Sequence, residues 1–145
     1  MNDDRAFLRA HIPDYAEYTD EATRHDTDMR IRAYVGERLA ALQQRLAGKL
    51  EPATVQQIEA LLLRCQFTDQ AFTKHLEHAT LNETVVAALL RADRTTIELA
   101  DRLPDVTAAE APALIESLDA QFDRRSVPLE HVDPRPATLE VEAST

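Results

Sequence analysis

Glycine occurs twice in this chain, cysteine once and tryptophan never. So little glycine removes the usual supply of tight hairpins, whose turns need residues at positive φ. With two glycines, neither of the glycine-rich phosphate loops, Gly-x-x-x-x-Gly-Lys or Gly-x-Gly-x-x-Gly, is present. Cys65 alone forms no intrachain disulfide and no cysteine-based zinc knuckle. Its neighbours Leu61-Leu62-Leu63 mark it as an inert, buried thiol. Serine nucleophiles find no glycine-rich elbow around Ser117 or Ser126.

Long apolar runs are missing too. No stretch approaches the roughly 20 residues that span a bilayer. Residues Asn2 to Arg9 are polar and charged, so no signal peptide is expected and the reading places the chain in the cytoplasm, off the membrane. Basic residues are scarce: 16 Lys and Arg stand against 26 Asp and Glu, a net charge of -10. A protein that tracks phosphates needs a basic face, so nucleic acid is excluded as a partner.

What the chain does contain is Ala, Leu, Glu, Arg and Gln, which enter helices at little cost. The expected fold is all-α. It is an antiparallel bundle of three long helices plus shorter N- and C-terminal helices. The bundle domain is expected over residues 1–125, followed by an extended or flexible proline-containing acidic arm over 126–145.

Caps and periodicity place the elements. A short helix fits Asp3 to His11, stopping before Pro13. The first long helix is expected over Asp20 to Ala47, with Thr19 as its N-cap. Val35, Leu39, Leu42 and Leu46 form its stripe, and Gly48 suits a left-handed C-terminal cap. Gly36 inside it points to a close helix crossing. The second is expected over Pro52 to Ala79, with Val55, Ile58, Leu62, Cys65, Asp69, Phe72 and Leu76 on one face; a break near Phe67-Thr68 is the alternative. Thr80 to Glu83 and Thr107 to Glu110 are capping-box patterns that open two further helices. In the arm, Leu139-Glu140-Val141-Glu142 alternates apolar and acidic residues.

A hairpin turning near Gly48 to Pro52 sets Leu46 opposite Val55 and Leu39 opposite Leu62. The same register sets Arg32 opposite Asp69, the charged residue on an otherwise apolar stripe. A guanidinium satisfies such a carboxylate with paired hydrogen bonds, so a structural ion pair Arg32–Asp69 is expected. Farther along, His25 falls near Leu76, which His75 and His78 flank. With Glu21, the residues His25, His75 and His78 offer ligands of the type that hold divalent metals. No Glu-x-x-His and no His-Glu-x-x-His string supports them. No cofactor is predicted, therefore, beyond a divalent metal at that cluster. Tyr15 and Tyr18 are expected to pack over the end of the bundle or to offer a small contact patch.

No catalytic motif stands out. The expected function is interaction with another macromolecule, a protein partner or a second copy of the chain. A metal- or small-ligand-binding bundle is the alternative.

Overall fold

A computed structural model describes residues 2–67, 76 and 80–130. The chain is all-α, with no strand among the described residues. In order, the helices bounded within the described residues are α1 (Asn2–His11), α2 (Arg24–Arg45), α3 (Pro52–Gln66), α4 (Glu83–Ala100), α5 (Ala111–Arg125) and the short α6 (Val127–Glu130). No described helix is long and apolar enough to cross a membrane.

Several expected signals act as read. Gly48 adopts φ +80° after α2, the left-handed position that glycine takes without steric cost. Pro52 opens α3. Before α5, Thr107 and Glu110 form the reciprocal capping box. The Thr107 amide donates to Glu110 Oε1 at 3.0 Å, and the Glu110 amide to Thr107 Oγ1 at 3.2 Å.

Other boundaries differ from expectation. α2 starts at Arg24, not Asp20. The Asp20 carboxylate accepts from the Ala22 amide at 3.0 Å, which closes a 3-10 turn over Glu21–Thr23 instead of a helical first turn. Thr19 is therefore not a helix cap. Glu21 stands in that turn, so it does not belong to α2. α4 is capped by Asn82, whose side chain accepts from the Val85 amide at 2.9 Å, two positions nearer the helix than the Thr80 pattern implied. It ends at Ala100, and Leu103 opens a separate 3-10 turn, Leu103–Asp105.

The largest correction concerns the second long helix. α3 ends at Gln66, and Phe67 is extended at φ -117°, ψ 126°. The alternative break is the observed one. Arg32, reaching across from α2, donates to the Arg64 carbonyl. A guanidinium thus satisfies a carbonyl that the helix end leaves without an intrahelical partner. The buried face of α3 is Thr54, Ile58, Leu61 and Cys65, while Val55 and Leu62 are half-buried. The stripe is thus turned by about one residue at two of its four steps.

The α2–α3 pairing keeps the expected register at Gly36, which lies against Cys65. A Cβ built on Gly36 would sit 3.4 Å from Cys65 Cβ and 3.9 Å from its Sγ. That is ordinary van der Waals contact, so the crossing is close without demanding glycine. Gly36→Ala is expected to stabilise the fold by about 0.5–1 kcal/mol, the helix-interior cost of glycine. Urea unfolding followed by circular dichroism checks this, and a lower midpoint in the variant contradicts it.

The core divides into two apolar clusters. One joins Val35, Leu39 and Leu42 of α2 to Ile58 and Leu61 of α3 and Leu118 of α5. The other gathers Leu8, Ile12, Ile31, Leu76, Leu89, Leu90, Ile97 and Leu129 around Tyr15 and Tyr18. Leu129 is buried, so the packed body continues to Glu130, past the expected boundary at residue 125. Pro128 is no obstacle, because a first-turn position needs no intrahelical N–H.

Candidate functional site

The unusual feature of the interior is a set of charged groups under the apolar clusters. Asp93 occupies the buried stripe of α4, between Leu90 and Ile97. Arg125 occupies the corresponding place at the end of α5, after Leu118 and Phe122. Asp28 and Arg32 are buried one turn apart on α2. The side chains of Asp28 and Asp93 are 1% exposed and that of Arg125 is 2%.

These groups satisfy one another. Arg125 Nε donates to Asp93 Oδ1 at 2.9 Å, and its Nη2 approaches the Tyr18 hydroxyl at 3.4 Å. Its Nη1 lies 2.8 Å from Asp28 Oδ1, a contact of charge on charge that makes no aligned hydrogen bond to that oxygen. Asp28 Oδ2 accepts from Arg32 Nε at 2.9 Å. The second Asp93 oxygen accepts from Tyr15 Oη at 2.9 Å and from the Tyr18 hydroxyl. An isolated buried charge is not tolerated; here each carboxylate meets a guanidinium.

The tyrosines arrive from the connection between α1 and α2, which is itself held by charge. Asp14 and Glu17 adopt positive φ, 60° and 63°, a strained conformation for residues with a Cβ. Glu17 is kept there by Arg5 Nε at 2.8 Å and Arg9 Nη2 at 2.7 Å, one turn apart on α1. Thr27 Oγ1 donates to the Glu17 carbonyl at 2.8 Å, and Arg24 Nε to the Tyr18 carbonyl at 2.7 Å. These bonds aim both phenol hydroxyls at Asp93. The contact-patch reading of Tyr15 and Tyr18 is corrected accordingly, because both rings are buried.

Burial shapes the ionisation of the network. It raises Tyr15 and Tyr18, and the Asp93 charge raises them further. Burial also pushes Asp93 up, against the pull of Arg125 and the hydrogen bonds that it accepts. Burial works against the Arg125 charge as well, but Asp93 and Asp28 outweigh it and hold the guanidinium protonated. Cys65 is buried as expected. Its thiol is pushed up to about 12 by burial, despite Arg32, Arg125 and Arg64 nearby. A thiol held neutral in this way is a poor nucleophile.

The sequence-derived site residues fare differently. Arg32 makes the contacts given above; Asp69, its expected partner, lies outside the described residues. His75 and His78 lie outside them as well. Glu21, in the 3-10 turn, and His25, in the first turn of α2, are both exposed. Arg24, next to His25, donates from Nη1 to the Leu76 carbonyl at 3.1 Å, which keeps the expected proximity of this turn to residue 76. Among the described residues, no group of three His, Cys, Asp or Glu could hold a metal ion.

Sequence reasoning missed Asp93 and Arg125, although each carried a signal. Asp93 interrupts the stripe of Leu89, Leu90 and Ile97, as Asp69 interrupts the apolar spacing of its own segment in the sequence. Arg125 extends the Leu118–Phe122 stripe by three residues, at a helix end where a cation is also favourable by its charge alone. Neither a family model, nor a curated protein, nor a solved structure matches this chain.

Proposed function

We propose that this chain is an interaction module that binds a protein partner, a second copy of itself being the simplest case. The observation that carries the reading is the exposure of Leu63 and Phe67. They stand four residues apart at the end of α3 and are 55% and 67% exposed. The Phe67 amide donates to the Leu63 carbonyl at 2.9 Å, which keeps the two residues one turn apart. A paired apolar protrusion of this kind suits an interface better than water. The buried network supports the reading from the other side. Its groups tie α2, α4 and α5 together, and Arg32 extends the network to the Arg64 carbonyl beside Leu63, at the end of α3.

Light scattering after size exclusion, over a concentration series, tests the self-associating form. The expected result is a concentration-dependent dimer that Leu63→Ser with Phe67→Ser returns to monomer. A strict monomer throughout, or a dimer indifferent to both substitutions, removes this basis.

A metal- or small-ligand-binding bundle is the second reading, with Glu21, His25, His75 and His78 as ligands. It is supported by the 3.1 Å bond from Arg24 to the Leu76 carbonyl, since residue 76 is flanked in sequence by His75 and His78. Elemental analysis of chain purified without chelator tests it. Metal that is present in the parent and lost in His25→Ala supports the site; equal contents in both contradict it.

A further inference from the structure

A groove of about 350 Å³ runs between α4, α5 and α6. Ala88 and Ala92, four residues apart on α4, leave it open on one side, and Val127 and Pro128 of α6 line the other. Val127 is 47% exposed. Two arginines, Arg91 and Arg124, stand at this groove, and both are exposed. Neither guanidinium has a hydrogen-bond or ion-pair partner among the described residues. In a chain of net charge -10, two unneutralised cations beside an apolar cleft call for an occupant that is both apolar and acidic.

The chain carries such a segment. We propose that the groove receives the C-terminal residues of the same molecule, with Leu139 and Val141 in the cleft and Glu140 and Glu142 near Arg91 and Arg124. Residues 131–145 lie outside the described structure, and the placement is argued from their sequence. Alternation in an extended segment turns Leu139 and Val141 to one side and the two glutamates to the other. With the apolar pair on the floor the glutamates face outward, where the long, exposed Arg91 and Arg124 side chains at the edge can fold over to meet them.

Length and tether also fit. The described chain ends at Glu130, on the same short helix that supplies Val127 and Pro128. Eight residues separate Glu130 from Leu139. Extended at roughly 3.1 Å each, they reach about 25 Å. Helix α4, with 18 residues, is about 27 Å long at 1.5 Å per residue. The arm can therefore double back to the groove beside its own origin. Pro134 and Pro136 stiffen the connector and reduce the entropy lost on docking. A short tether sets an effective concentration in the mM range, so docking within one molecule outcompetes the tail of a second copy.

Nuclear magnetic resonance on the full chain tests this, with Leu139→Asp/Val141→Asp and Arg91→Glu/Arg124→Glu as two double variants. All four side chains are at the surface or in the tail, so both variants retain the fold. The expected result is that the amides of Ala88, Ala92 and Thr95 shift together with those of residues 138–142 in each variant. Amide exchange at 139–142 is expected to quicken roughly fivefold or more. Added salt should move the parent spectrum the same way. The proposal is overturned if the tail variant leaves the groove amides unmoved, or if the arginine variant leaves residues 138–142 unchanged. Shifts that vanish on dilution, alongside a dimer in light scattering, also overturn it by assigning the groove to the arm of another molecule.

Discussion

Replacing Asp93 by alanine is expected to cost about 3–5 kcal/mol of folding stability, the loss typical of removing one partner from a buried ion pair. The carboxylate accepts from Tyr15, Tyr18 and Arg125. Its removal takes one of two buried carboxylates away from the Arg125 guanidinium and strands two phenol hydroxyls away from water. Domains of this size are stable by about 5–15 kcal/mol, so the variant should unfold at a much lower urea concentration. The double variant Asp93→Ala/Arg125→Met should lose less than the two single variants added together, because the second change removes the buried cation that the first deprived of one carboxylate. Should Asp93→Ala not fold at all, Tyr18→Phe reads the same network more gently. It deletes one donor to a charged acceptor and should cost about 1.5–3 kcal/mol. A loss below about 1 kcal/mol in Asp93→Ala would show that the network contributes little to the folded state.

Alkaline pH should unfold the chain through two tyrosines. Tyr15 and Tyr18 are both raised above the ordinary value of 10.0, first by burial and then by the Asp93 charge. Below pH 10 both phenols are neutral in the folded and unfolded chain alike, and they add no pH dependence. Above pH 10 the unfolded chain releases these protons while the folded chain keeps them. Unfolding is then favoured, and stability falls as pH rises. The slope is about 1.4 kcal/mol per pH unit for each phenol, so roughly 2.7 for the pair. Tyr34 differs: burial and its bond to Asp101 push it up to about 12, and it is half-buried near the surface. Tyrosinate absorbance followed beside helical ellipticity checks this. Two of the three tyrosines should ionise together with helix loss. If all three ionise near pH 10 with the helices intact, the hydroxyls are not shielded as the structure shows.

Much of the fold was readable from local chemistry. Gly48 ends α2 in the left-handed region, Pro52 opens α3, and Thr107 with Glu110 closes the box before α5. Each of these depends on neighbours a few residues away. The pairing of Gly36 with Cys65 was also within reach, because a short turn leaves few registers open. The end of α3 was harder to place. Apolar spacing continues through Phe72 and Leu76 in the sequence, yet the backbone turns extended at Phe67, where Arg32 takes the Arg64 carbonyl. Periodicity shows where a helix can run and not where another element will stop it.

The candidate site was less legible for the same reason. Tyr15 and Tyr18 lie 78 and 75 residues from Asp93 along the chain, in a connection that has no period. Helical class, caps and apolar faces follow from residue types at short range, since backbone propensity and amphipathic spacing are local properties. The partner of each buried charge follows from packing. Burial sums contributions from every element, and a carboxylate is indifferent to where in the chain its guanidinium originates. Only the assembled body therefore brings Asp28 and Asp93 to opposite sides of Arg125.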